Sequence, residues 1–93
     1  MDYISAQIDR ARSLVEDLVD LAGELLRLEA DIGRVHRRYV VGAFELLTEI
    51  EAQSLLAAAG NRSALPAIEG ALGQLSRLRH EADQELDHYS GRD

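Results

Sequence analysis

From Leu14 onward, apolar residues recur every three or four positions: Leu14, Leu18, Leu21, Leu25, Leu28, Ile32, Val35, Tyr39, then Gly42 and Leu46, with Ile50 one step further. This heptad spacing aligns side chains along one helix face, whereas a strand would alternate its faces at every second residue. Ile4, Ile8 and Ala11 extend the row towards the start, and Asp2 or Ser5 offers an oxygen to cap the helix N-terminus. A glycine, Gly33, interrupts the row at a cost of about 1 kcal/mol relative to alanine. The spacing nevertheless keeps its phase there, with no proline and no cluster of polar turn formers. The pattern therefore predicts one helix over about 3–58; a hinge at Gly33 is the alternative. A definite break comes in "AAAGNRSALP", where Gly60-Asn61 can adopt the left-handed conformation that ends helices. Ser63 follows as an N-cap, with Pro66 inside the first turn of the next helix. A turn over about 59–63 thus leads to a helix over about 64–89, with a second row at Leu65, Ile68, Leu72, Leu75, Leu78, Ala82, Leu86 and Tyr89. The last four residues, 90–93, are expected to form a frayed polar tail.

The chain is thus expected to be a single all-α domain, a long helix with a shorter antiparallel one. These arms are unequal, about 80 Å against about 40 Å at the helical rise per residue. Folding the short arm back leaves the row Leu14, Leu18, Leu21, Leu25, Leu28 and Ile32 without an intramolecular partner. Such a stripe is an association surface, so a homodimeric helical bundle or coiled coil is expected. With a hinge at Gly33 the same stripe closes into a three-helix bundle. The stretch "YVVGAFELL" around Gly42 is apolar almost all round the helix, as at the centre of a four-helix bundle.

Composition narrows the function classes. The chain has 93 residues, no cysteine and a net charge of −7, and every basic residue is arginine. Without cysteine there is no disulfide framework. An acidic surface repels phosphate backbones, and the one basic patch, "RVHRRY" from Arg34 to Tyr39, fits a salt-bridging face better than a nucleic-acid site. No apolar run reaches membrane-spanning length, and the start lacks the basic and apolar regions of a signal peptide. A cytoplasmic location is the expectation, with neither nucleic acid nor membrane as partner.

The most chemical stretch is "HEADQELDH", residues 80 to 88, in which Glu85 and His88 stand as E-x-x-H. That motif occurs in di-metal sites inside ferritin-like bundles, so Glu81, Glu85 and His88 form an alternative metal site at an oligomer interface. The inward positions of this helix are nevertheless leucine, isoleucine, alanine and tyrosine, and reflection about the turn sets residues 81 to 87 opposite about 36 to 42. Arg34, Arg37 and Arg38 against Glu81 and Glu85 then make an ionic face that sets the register of the pair. No cofactor is expected. The serines show no nucleophile-elbow pattern and no loop resembles a phosphate cradle, so an enzyme is not expected either.

The terminal "YSGRD" is similar to the Tyr-x-x-x-acid pattern that ends the small helical-hairpin proteins exported by type VII secretion. This chain lacks their Trp-x-Gly turn, having no tryptophan, and its own turn lies past the middle. The overall plan also looks like small helical chaperones of secretion systems. The function expected is protein–protein interaction, as an adaptor, secretion-type chaperone or regulatory inhibitor. Its leucine row would pack on a partner helix and its acidic flanks would select a basic one.

Overall fold

The computed structural model describes residues 3–28 and 30–89, and it is all-α. Helix α1 spans Tyr3–Arg27, α2 spans Ile32–Val35, a π-helical segment spans His36–Val41, α3 spans Gly42–Ala58 and α4 spans Ala64–Tyr89. Val35, His36, Val41 and Gly42 all keep right-handed helical angles, so α2, the π segment and α3 form one unbroken rod. At about 1.5 Å per residue, α1, this rod and α4 are each about 40 Å long. Each of the three packs on the other two, in a bundle measuring 48 × 23 × 18 Å.

The continuous helix over about 3–58 is therefore corrected: the chain turns after Arg27 and restarts at Ile32. Gly33 is not the hinge, because it lies inside α2. Two local devices make the turn. The Ala30 N–H donates to the Leu25 carbonyl at 3.2 Å, the six-residue closure that ends many helices. Ala30 and Leu25 are both buried in the core, which supplies the apolar contact that accompanies this closure. Asp31 then caps the next helix: its carboxylate accepts from the Arg34 N–H at 3.0 Å. The heptad row keeps phase only on paper, since Leu28 and Ile32 are 39% and 71% exposed. The buried sequence across the turn is Leu25, Ala30, Val35 and Tyr39.

The second turn comes at Gly60-Asn61, as expected, although Ser63 turns its hydroxyl back to Asn61. Gly60 has φ 99°, its N–H donates to the Ala57 carbonyl, and the Asn61 N–H donates to that of Leu56. This paired closure leaves α3 with satisfied carbonyls and turns the chain back. Asn61 also accepts from the Ser63 N–H and hydroxyl, at 3.1 and 2.6 Å, which tightens the entry to α4.

The core runs the length of the bundle. Leu18, Leu25, Val35, Ile50, Ile68 and Leu75 are its largest fully buried side chains. Ala11, Ala22, Ala43, Ala71 and Ala82 are buried between them, and such small residues let helices approach closely. Buried Ser54 donates to the Ile50 carbonyl at 2.7 Å, so its hydroxyl is satisfied within the helix.

Candidate functional site

Leu14, Leu18 and Leu25 lie in the bundle core, Leu21 is partly buried against it, and only Leu28 and Ile32 reach solvent. Apart from Leu28 and Ile32, the row proposed as an association surface is thus covered within the chain's own bundle. That removes the uncovered stripe from which a homodimer was expected.

The arginines of "RVHRRY" divide between two roles. The Arg34 guanidinium grips Glu85 with both terminal nitrogens, Nη1 at 3.1 Å from Oε1 and Nη2 on Oε2. Arg38 Nη2 donates to Glu81 Oε2, one helical turn along each rod. Arg37 is exposed and makes no ion pair among the described residues. The Tyr39 hydroxyl, on a ring that is almost wholly buried, donates to Glu85 Oε1 at 2.8 Å. The π segment helps to make this convergence possible. The Gly42 N–H reaches back five residues to the Arg37 carbonyl, and the widened turn keeps Val35, Tyr39 and Ala43 all on the buried side despite their steps of four.

The Arg34 guanidinium holds the Glu85 carboxyl below the usual carboxylate range against the opposing effect of burial, and the Tyr39 hydroxyl adds to the lowering. Burial first, and then Glu85, pushes the Tyr39 phenol up. Arg34 and Arg38 are raised through their bonds to Glu85 and Glu81. These effects keep Glu85, Arg34 and Arg38 charged and the Tyr39 phenol protonated, the forms in which they pair. Similar ties join the other rods: Arg79 Nε lies 3.3 Å from Asp17, Arg12 Nη2 lies 3.4 Å from Glu51, and the Tyr3 hydroxyl donates to Glu69 at 2.7 Å.

Glu81 and Glu85 are thus turned to arginines, while exposed His88 stacks its ring edge-on against Tyr89 at 5.8 Å. Among the described residues no three His, Asp or Glu side chains come together as a metal-binding group. Asp2 and residues 90–93, including most of "YSGRD", lie outside the described residues. No helix among the described residues is long and apolar enough to cross a membrane.

The surface that the heptad row does not explain is on α3. Its inner face buries Ala43, Ile50 and Ser54, with Leu46 and Ala57 partly covered. On the opposite face Phe44, Thr48, Ala52 and Leu55, continued by Val41 at the end of the π segment, form a second row at the same three-and-four spacing, all exposed, Phe44 by 48% and Leu55 by 75%. Beside it an open hollow of about 550 Å³ is lined by His36, Val40, Val41, Phe44, Glu45 and Thr48. The stretch "YVVGAFELL" is therefore not enclosed on all sides as the centre of a four-helix bundle would be: Tyr39 and Ala43 are buried, whereas Val41 and Phe44 are exposed because only two other helices pack on this rod. Known protein families, characterised proteins and solved structures were all compared with this chain, and none matches it.

Proposed function

We propose that this chain is a protein–protein interaction module that receives a partner helix on the outer face of α3. The observation that carries this reading is the exposed row Val41, Phe44, Thr48, Ala52 and Leu55, opposite a buried row of the same spacing. Single exposed apolar residues need no explanation, but a row spanning four helical turns does. A helix laid along it would anchor side chains at matching three-and-four intervals, which is how helices are held in apolar grooves. The remaining chemistry supports a binding role over an enzymatic one. Apart from Tyr39 and Ser54 the interior is aliphatic, and the most organised polar group, around Glu85, ties two helices together. An adaptor, a secretion-type chaperone and a regulatory inhibitor would all use such a face, with the partner deciding among them.

The test uses the full chain and its Phe44→Asp/Leu55→Asp variant as immobilised baits in extract of the source cells. Both positions are exposed, so circular dichroism should show unchanged helix. Proteins retained by the wild type and lost with the variant are expected. Identical retention by the two baits overturns the reading.

A further inference from the structure

We infer that the occupant of the α3 face is an amphipathic helix of a different protein, with lysine or arginine along its polar flank, and not a second copy of this chain. This rests on the reading of α3 as a docking face and adds the chemistry of the partner. The inference comes from the charges beside the row. From Val40 to Asn61 the chain contains Glu45, Glu49 and Glu51 and no basic residue. Glu51 is held by Arg12 of α1. Glu45 and Glu49 are exposed and form no ion pair among the described residues, and the Gln53 amide that donates to Glu49 leaves its charge in place. At about 100° per residue both fall on the same flank of the Phe44–Leu55 row.

Self-pairing sets these charges against themselves. In an antiparallel pair a twofold axis brings each flank against the same flank of the copy, so Glu45 and Glu49 meet Glu49 and Glu45. In a parallel pair the acidic flank meets the opposite flank, whose charged α3 residue is Glu51. In the antiparallel pair acid faces acid, and in the parallel pair the acidic flank meets a carboxylate that Arg12 already balances, so neither arrangement supplies a free cation for Glu45 and Glu49; flanking charges of this kind decide which helices pair. A basic flank relieves both carboxylates while its apolar side covers Phe44 and Leu55. The row from Val41 to Leu55 is about 21 Å long at the helical rise, which calls for a partner helix of about four turns. The same acidic flank disfavours an anionic membrane surface, for which amphipathic helices carry lysine and arginine.

The experiment measures fluorescence anisotropy of three labelled synthetic peptides of about 18 residues, long enough for the four turns required. One has a leucine row flanked by lysine, one has glutamate in place of lysine, and one is a scrambled form of the lysine peptide without the row. The lysine peptide should bind the full chain, and the other two should not. Raising salt from about 50 mM to about 500 mM should weaken binding, because the Debye length shrinks across that range. Glu45→Lys/Glu49→Lys should cut affinity for the lysine peptide by about tenfold or more and admit the glutamate peptide. Phe44→Asp/Leu55→Asp should abolish binding. Equal binding of the lysine and glutamate peptides, lost in Phe44→Asp/Leu55→Asp, overturns the basic partner and spares the docking face. Binding of the scrambled peptide, or survival of binding in that variant, overturns both. A dimer in sedimentation that excludes the lysine peptide and dissociates in Phe44→Asp/Leu55→Asp assigns the face to a second copy and overturns the inference.

Discussion

Replacing Glu85 by alanine should destabilise the bundle far more than replacing Glu81, although both carboxylates pair with an arginine across the same two helices. The difference lies in what each group leaves behind. The Arg38 and Glu81 side chains are 50% and 43% exposed, so their pair belongs with surface ion pairs worth about 0–1 kcal/mol. The Glu85 side chain is only 17% exposed, and it accepts from both Arg34 and the Tyr39 hydroxyl. Its loss strands a buried phenol O–H, which costs about 1–3 kcal/mol, and adds the smaller loss of a half-exposed arginine pair. Glu85→Ala should therefore cost about 2–3 kcal/mol and Glu81→Ala under about 1 kcal/mol. For a domain of this size about 2 kcal/mol lowers the thermal midpoint by about 10 °C or more. Urea unfolding at neutral pH reads both values, provided the slope stays constant between variants. A Tyr39→Phe background separates the contributions: with the hydroxyl gone, Glu85→Ala should cost little more than Glu81→Ala. Equal costs for Glu85→Ala and Glu81→Ala in the wild-type background would refute the role assigned to the Tyr39–Glu85 bond.

Acid should weaken the wild type more than Glu85→Gln. The Glu85 carboxyl is held below its ordinary value of 4.5, so its stabilisation is complete above that pH and is lost as pH falls through the depressed value. Urea midpoints of the two proteins should converge across that window, and a constant gap would refute the linkage. Gly60→Ala should destabilise by about 1 kcal/mol because φ there is positive, whereas Gly33→Ala should stabilise by up to about 1 kcal/mol inside a helix. Loss of stability on Gly33→Ala in thermal melts would restore the hinge. Leu25→Asp should unfold the chain by placing an unpaired carboxylate in the core, while Phe44→Asp/Leu55→Asp should change stability by less than about 0.5 kcal/mol. Circular dichroism separates these outcomes, and a folded Leu25→Asp protein would contradict the three-helix packing.

The sequence by itself determined that the chain is helical and where its second turn lies. Both are local matters: three-and-four spacing places apolar groups on one helix face, and Gly60 meets a backbone requirement within a few residues of itself. The charge pattern also identified the segments that meet, "RVHRRY" and "HEADQELDH", because antiparallel helices joined by a short turn have a nearly fixed register. It did not distinguish Arg37 from Arg34 and Arg38, whose directions depend on the rotation of the rod and on the π segment. The first turn was hidden because Leu28 and Ile32 happen to continue the heptad phase, while the real signals were Asp31 as a cap and Ala30 as a buried closing residue. Tertiary packing alone decided which apolar stripe is covered. Leu14, Leu18 and Leu25 and the outer row of α3 look alike in periodicity, and periodicity measures how apolar a face is, not what lies against it. With the chain turning after Arg27 and restarting at Ile32, the three rods become nearly equal in length and enclose Leu14, Leu18 and Leu25, with Leu21 partly covered and Leu28 and Ile32 left exposed. A bundle of three helices buries one face of each, and α3 has two apolar faces, so one of them is left to solvent.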